Sequence, residues 1–333
     1  MRYLVTGATG FIGQEVVRQL LAAGHEVTAI VRDPQTATAA PSRPPAQPGV
    51  RLAKADVRDK ESLRGPMSGV DGVFHIAGWY RIGAPDRAAA FQTNVDGTRN
   101  VLELMKELGI PRGVYTSSLA VFSDTHGRVM DEKYIFRGKH ISVYDLTKWI
   151  AHYEVALPMM RDGLPLTIVQ PGAVYGPGDR GPLAQLIEVY LRRELPTVPA
   201  KVAYCWGHVT DIARAHILAM DRGESGESYI IAGPCHELGE VLRMLERTTA
   251  VPLPRWTMPP FALKALAGLM GVVERFHQVD VARSSEALRV LAGPTYLGSN
   301  AKAKAELGIQ MRPIEQGLSE TLDWYLQLAK EGL

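Results

Sequence analysis

Tyr3-Leu4-Val5-Thr6-Gly7-Ala8-Thr9-Gly10-Phe11-Ile12-Gly13 opens the 333-residue chain with a short apolar strand running into three glycines spaced by three. A turn of that composition lets the backbone approach a pyrophosphate, and the helix that follows presents its positive N-terminus to the negative charge. Gly7, Thr9, Gly10, Phe11, Ile12 and Gly13 are therefore candidate pyrophosphate contacts. Further along, short β-rich runs at 3–6, 26–31, 50–53, 72–76, 113–117 and 166–169 alternate with helical stretches at 12–23, 60–67, 86–108 and 142–161. The alternation predicts an α/β doubly wound fold, a parallel sheet covered by helices on both faces with right-handed crossovers. Gly24 closes the first helix, and Gly109-Ile110-Pro111 the third, as a C-cap glycine and a following proline should.

The stretch 34–49 holds five prolines without periodicity and is expected to form a surface loop after the second strand. After Pro171 the pattern loosens. A strand-like run at 228–232 follows a helix at 211–221 and suggests a brief return to the main sheet. The expected division is a dinucleotide-binding domain of 1–172 plus about 208–233, with a substrate lobe of about 173–207 and 234–333 over the carboxyl ends of the strands.

Composition narrows the class. Lysine and arginine number 37 against 35 acids, a net +2 too balanced to imply nucleic acid or an anionic membrane as a partner. Cys205 and Cys235 are the only cysteines, so a disulfide framework is not expected; Cys205 reads as a small apolar filler, and the compartment as reducing and cytoplasmic. The opening residues are taken up by the glycine turn, so no signal peptide is expected. The apolar stretch 261–273 is too short for stable membrane insertion and is interrupted by Lys264. It reads as an amphipathic helix over a pocket, with membrane-surface contact as the other reading.

Tyr144-Asp145-Leu146-Thr147-Lys148 places a phenol and an ammonium on one helix face. A phenol ordinarily holds its proton to pH ~10; a nearby cation stabilises phenolate and eases proton exchange. Another hydroxyl group, in Thr116-Ser117-Ser118, ends the fifth strand. At the end of the second strand, where an acid would bind the ribose of NAD, the chain has Arg32, followed by Asp33. A guanidinium pairs with a 2′-phosphate, so NADP(H) is favoured over NAD(H). Asp56 and Val57, ending the third strand, are placed to flank the adenine. His75 reads as packed beneath the cofactor, and His208 and His216 lack a third ligand, so no metal site is expected.

At these residues the chain resembles an extended short-chain dehydrogenase/reductase over roughly residues 1 to 235. The family's glycine motif is matched by Gly7, Gly10 and Gly13, and its fourth-strand motif by His75-Ile76-Ala77-Gly78, with Gly78 where alanine is usual. Its helical asparagine matches Asn94, its serine Ser118, and its tyrosine and lysine Tyr144 and Lys148. Gln170-Pro171-Gly172-Ala173-Val174 resembles the family's cofactor-contacting loop, and His208-Val209-Thr210-Asp211 the motif anchoring the returning helix. The resemblance implies that Tyr144 donates a proton to a carbonyl oxygen as hydride arrives from the nicotinamide. It implies that Lys148 binds the nicotinamide ribose and lowers the tyrosine pKa, and that Ser118 hydrogen-bonds the carbonyl. Asn94 would position a water, or cap backbone groups; Ala77, Gly78, Pro171, Gly172, Ala173 and Val174 would line the cofactor.

Arg32 with Asp33-Pro34 resembles the dihydroflavonol-reductase and aldehyde-reductase-like branch, whose members reduce carbonyls of hydrophobic substrates with NADPH. Trp79, Tyr80, Tyr175, Tyr204 and Trp206 are the candidate substrate contacts, with Tyr134 and Trp256 further aromatics in that part of the chain. Arg180, Arg192, Arg193 and Lys201 keep open the alternative of an NAD-dependent sugar-nucleotide epimerase or dehydratase. A non-catalytic cofactor-binding sensor or scaffold is the third reading, which an intact serine, tyrosine and lysine argue against. A homodimer through helices 86–108 and 142–161 is the assembly related proteins suggest, with Val101, Leu104 and Trp149 as contacts, though burial against their own sheet explains these residues equally well.

Overall fold

Strands that are apolar on both sides can be buried only between two layers, and the chain builds them so. The computed structural model describes residues 1–35, 49–83 and 86–331, so the expected loop at 34–49 falls, at 36–48, outside the described residues. In chain order the first half forms β1 (Arg2–Thr6), α1 (Phe11–Ala22), β2 (Glu26–Val31), β3 (Val50–Lys54), α2 (Lys60–Met67), β4 (Gly72–His75), α3 (Arg87–Phe91), α4 (Gly97–Glu107), β5 (Gly113–Thr116), α5 (Val143–Ile150), α6 (Leu157–Arg161) and β6 (Leu166–Pro171). Then follow β7 (Ala173–Tyr175), α7 (Pro182–Leu191), β8 (Val198–Pro199), β9 (Ala203–His208), α8 (Val209–Arg222), β10 (Ser228–Ile231), β11 (Cys235–Glu237) and α9 (Leu238–Thr249). The last elements are β12 (Thr257–Met258), α10 (Pro260–Val273), α11 (Ser285–Val290), β13 (Thr295–Tyr296), α12 (Ala301–Leu307) and α13 (Ile314–Glu331).

The main sheet has seven strands in the order β10-β6-β5-β4-β1-β2-β3, all parallel. This is the doubly wound fold expected, and β10 is the strand that returns to it. The strand order reverses between β1 and β4, which opens a crevice at their carboxyl ends. Alternation divides the core. Leu4, Val73, Tyr115 and Ile168 point to one face with Leu63, Leu102 and Val155, while Val5, Phe74, Val114 and Val169 point to the other with Val17, Leu20 and Ile212. Each fully buried side chain of this kind contributes about 1.5–3 kcal/mol. Val101 and Leu104 are wholly buried here, so neither has surface to offer a second subunit.

Two helices differ from expectation. The stretch 86–108 is α3 and α4 joined by a π-helical turn at Gln92–Asp96, and 142–161 is α5 and α6 joined by another at Ala151–Ala156. β9 centres a smaller sheet, paired with β7, β11 and β13. β11 runs antiparallel to β9 and sets Cys235 opposite Cys205, and the two are joined as a disulfide. The expectation of unpaired cysteines is thus corrected: the pairing follows from a strand register that a spacing of 30 residues does not reveal. Among the described residues no helix is long and apolar enough to cross a membrane.

Candidate active site

The crevice begins at the glycine turn. Gly7 has φ +70°, and a Cβ there would lie 2.7 Å from the Ala77 nitrogen; a Cβ on Gly13 would lie 2.1 Å from the Gly7 carbonyl oxygen. Side chains are excluded by this close approach of β1, α1 and the segment after β4. Gly10 caps α1 without a side chain, and no acid lies in the first turn, so the positive helix end is left for an anion. Gln14 holds the turn by donating to the Thr9 carbonyl at 2.8 Å. Phe11 and Ile12 begin the helix half-buried. A cradle that side chains cannot enter, at an uncapped helix end, fits a dinucleotide diphosphate.

Beside it, exposed Arg32 follows the last residue of β2. Asp56, after β3, is bound by Arg58, whose Nη2 lies 2.6 Å from Oδ2 and whose backbone N donates to Oδ1 at 3.0 Å. These hydrogen bonds hold the Asp56 carboxyl below its ordinary pKa, with a longer-range pull from Arg32. Next to the pair a cavity of about 380 Å³ is lined by Asp56, Arg58, Asp59, Gln92 and Asp96. Val57 departs from expectation: its side chain is buried in the core, and its carbonyl accepts from Asn100 at 2.9 Å. Arg58 was not anticipated, although an Asp-x-Arg at a strand end is a readable sign of a cation there.

Below the crevice runs a buried polar chain. Thr6 Oγ1 lies 2.8 Å from His75 Nδ1 and accepts from the Ala77 nitrogen at 3.2 Å; His75 Nε2 lies 3.0 Å from Thr98 Oγ1, which donates to the Asn94 carbonyl at 2.7 Å. Burial, with the nearby Lys148 charge, pushes His75 down to about 3, so it is neutral at physiological pH. Asn94 sits in the first π turn. Its Oδ1 accepts from the Trp79 nitrogen at 2.7 Å, and its Nδ2 donates to the Trp79 carbonyl at 3.0 Å and to Thr147 Oγ1 at 2.9 Å. Both amide hydrogens are taken, so the side chain clamps the Trp79 peptide onto α5. That is closer to the backbone-capping reading than to the water-positioning one.

Ser142 caps α5, accepting from the Asp145 nitrogen at 3.0 Å and donating to Asp145 Oδ1 at 2.7 Å. Tyr144 leaves this first turn half-buried beside Tyr80, ring centroids 4.7 Å apart and edge to face. Ser118, whose Oγ accepts from the Ala120 nitrogen at 3.1 Å, stands beside the Tyr144 phenol. Burial raises that phenol to about 12; the Ser118 hydroxyl opposes the rise and Asp145 adds to it. Lys148 is buried, its Nζ donating to the Thr116 carbonyl at 2.6 Å and to the Tyr115 hydroxyl at 3.3 Å, and lying 4.8 Å from the Tyr115 ring centroid. Burial lowers the ammonium to about 7. The expected depression of the tyrosine pKa by Lys148 is therefore not seen in this state, because the ammonium is directed to the end of β5. Asp145 was also missed, though Ser142-x-x-Asp145 is a legible capping box; its carboxyl also accepts from Ser123 at 3.0 Å and Tyr296 at 3.2 Å, and burial raises it to about 7.

The aromatic candidates divide. Trp79 is half-buried and Tyr80 is 52% exposed, both on the segment leaving β4. Tyr204 is stacked on Tyr296 at 5.5 Å, and its field, with that of Tyr144, helps burial raise the Tyr80 phenol. Tyr80 and Tyr204 lie on the Tyr144 side of the crevice, Tyr80 in direct ring contact with it, and Trp79 is placed there only by its peptide, which Asn94 ties to Thr147. Tyr175 and Trp206 do not: both are buried in the core beneath α9 and α13, where the Tyr175 hydroxyl donates to the Ile314 carbonyl and Trp206 Nε1 to the His236 carbonyl. Their assignment to substrate is corrected, since β7 pairs with β9 and turns both rings inward. Tyr134 is tied by its carbonyl to the Tyr153 hydroxyl, and Trp256 is 78% exposed. Pro171 ends β6 buried; Gly172 follows, and Ala173 and Val174 are half-buried on β7, packed against two different cores. Ala77 and Gly78 flank the crevice, Gly78 exposed near the Asn94 amide. His208 caps α8, accepting weakly from Thr210, and His216 lies 2.9 Å from Thr116 Oγ1 in the core.

A doubly wound sheet with a glycine cradle, and a serine, tyrosine and lysine at its carboxyl edge, defines a dinucleotide-dependent oxidoreductase class. Residues 3–232 match the model of the NAD dependent epimerase/dehydratase family, and the chain belongs to that family, the extended short-chain dehydrogenases/reductases. It is 30% identical over 331 residues to the sterol demethylase protein B of Methylococcus capsulatus, covering 98% of each chain. It is 32% identical over 337 residues to a dihydroflavonol 4-reductase-like protein of Synechocystis sp., covering 97% of this chain and 94% of that one. The crystal structure of gox2253 superposes with a TM-score of 0.83 at 31% identity, over 98% of both chains.

Proposed function

We propose that the chain is an NADP(H)-dependent reductase or dehydrogenase that interconverts a ketone or aldehyde with an alcohol on a small, apolar, ring-bearing substrate. The observation that carries the reading is the Tyr144 phenol beside the Ser118 hydroxyl, with Lys148 buried behind it. Bound cofactor supplies the hydride. The chain's own residues do the rest. Ser118 donates a hydrogen bond to the carbonyl oxygen and stabilises the charge that develops there. Tyr144, protonated throughout the neutral range, gives its proton to that oxygen. Lys148, held by its Nζ at the Thr116 carbonyl, is the residue that would bind the nicotinamide ribose. Trp79, Tyr80 and Tyr204 give the substrate apolar area with polar edges.

Arg32 and Arg58 at the adenine end support NADP over NAD, and the relative named for a dihydroflavonol reductase supports carbonyl reduction. The family model itself favours the second reading, an epimerase or dehydratase that retains NAD. Nicotinamide fluorescence titration of the purified protein, after checking for bound cofactor, separates the two. The reductase binds NADPH reversibly and in preference to NADH. Tyr144→Phe keeps that affinity and loses turnover of a carbonyl substrate by about 10²–10⁴-fold. Copurified NAD, or substantial turnover in Tyr144→Phe, overturns the reading.

A further inference from the structure

The helix α10 has two apolar sides. At about 100° per residue, Leu263, Ala267 and Met270 share one side and Phe261, Leu269 and Val272 the opposite one, with Phe276 continuing the second a turn beyond the helix. The first side is buried or half-buried, and α10 packs on α11. The second faces outward: Phe261 and Phe276 are each 75% exposed and Leu269 is 60% exposed. Trp256 before the helix and Val281 after it are exposed too. A contiguous apolar stripe of this kind marks a contact surface.

Charge selects the contact. Lys264 and Arg275 lie along one flank of the stripe, exposed, with Arg255 and Arg283 exposed on the segments entering and leaving it. Between 255 and 283 the carboxylates are Asp280 and Glu274, against the four cations, and the Glu274 oxygens accept from the Ser285 nitrogen at 2.5 Å and the Ser285 hydroxyl at 2.7 Å. The face presented outward is thus apolar and cationic. A two-fold pairing of this stripe with a second copy would set the same cations against one another. At 14 residues the helix is about 21 Å long, short of a bilayer core, so it lies on a membrane and does not cross it.

We propose that α10 and the residues flanking it rest on an anionic lipid surface, with the stripe of Phe261, Leu269, Val272 and Phe276 in the acyl boundary and Lys264 and Arg275 on the headgroups. The placement goes beyond the reductase reading and does not depend on it. It has a geometric consequence for the crevice, because α11 joins the two: Glu286 accepts from the Gly83 nitrogen and from the Val143 nitrogen, each at 3.3 Å. The membrane-facing helices are thereby tied to the loop after Tyr80 and to the residue before Tyr144. An apolar substrate carried in lipid would be delivered beside the catalytic tyrosine.

Flotation of the full chain with vesicles, in the absence of cofactor and substrate, tests this. The protein floats with vesicles of phosphatidylcholine and phosphatidylglycerol in equal parts and much less with phosphatidylcholine alone, and added salt weakens the association. Leu269→Glu/Phe276→Glu, and separately Lys264→Glu/Arg275→Glu, each lower flotation by roughly tenfold or more without changing the melting temperature, since all four side chains are exposed. Absence of flotation with either vesicle, or undiminished flotation of both variants, overturns the proposal. So does a wild-type dimer in light scattering that Leu269→Glu/Phe276→Glu dissolves, which would give the stripe to a second copy.

Discussion

Arg32 and Arg58 are the residues on which the proposed cofactor preference rests. Two guanidiniums stand near Asp56, and only Arg58 is bonded to it in the hydrogen-bonding sense; Arg32 acts on it through its field. A charge-assisted pair with a 2′-phosphate is worth about 1.5–3 kcal/mol. Arg32→Asp should therefore lower NADPH affinity about 10- to 100-fold and leave NADH affinity little changed, as read by titration of nicotinamide fluorescence. An unchanged NADPH-to-NADH ratio would refute the role given to Arg32. At this scale the sequence was most legible where chemistry demands one residue type at one place, as at Gly7, Tyr144 and Lys148. It was least legible for aromatics, because Tyr175, Trp206 and Tyr204 all have the composition of a binding wall. Tyr204 and Trp206 stand two apart on β9 and share a face with Tyr175; what separates them is depth, Trp206 and Tyr175 lying under α9 and α13 while Tyr204 is half-buried against Tyr296, which side-chain identity does not encode.

The elements of the main sheet followed from alternation, and the strand ends differ from expectation by one or two residues. The π turns did not follow from it. Asn94 and Ala151 lie within stretches whose apolar pattern reads as continuous helix, and a single extra residue in a turn leaves that pattern unchanged to the eye. The turn at Gln92–Asp96 presents Asn94 to both polar groups of the Trp79 peptide and to Thr147, tying the segment after β4 to α5. Asn94→Ala leaves these groups without partners in a buried place. The expected loss of stability is about 1–3 kcal/mol, measured by urea unfolding. Asn94→Asp, which keeps the acceptor for the Trp79 N–H but loses both donors, should also be destabilised, and a double-mutant cycle with Thr147→Val should show coupling. A loss below about 0.5 kcal/mol for Asn94→Ala would mean that the clamp does not hold the segment.

For the whole molecule, the groups buried around the crevice make stability depend on pH in a direction that can be worked out. His75 and His152, at about 3, and His216, at about 4, are pushed below the ordinary 6.5 by burial, so folded protein binds fewer protons than unfolded protein as pH falls below 6.5. Their contribution is intact above that value and is lost toward acid. Asp145 works the other way: raised to about 7 from 3.8, it holds a proton in the folded state between those values, and stability from this group declines as pH rises through that window. Among these four groups the sum near pH 5 is three histidine protons favouring the unfolded state against one carboxyl proton favouring the folded one, and His140 and His208, also lowered by burial, act in the histidines' direction. A difference of about two protons changes the unfolding free energy by roughly 3 kcal/mol per pH unit. Lys148, lowered to about 7 from 10.5, adds a penalty that is full below pH 7 and disappears as pH rises toward 10.5. Unfolding free energies measured by urea denaturation should therefore climb steeply between pH 4.5 and 6 and continue upward, more gently, through pH 8. Asp145→Asn, which keeps a group able to accept from Ser123 and Tyr296 but cannot titrate, should steepen the acid limb by about one proton, roughly 1.4 kcal/mol per pH unit. A limb that is flat in the wild type, or unaltered in Asp145→Asn, would show that these groups do not titrate apart from bulk values and that the crevice floor is wetter than its packing implies.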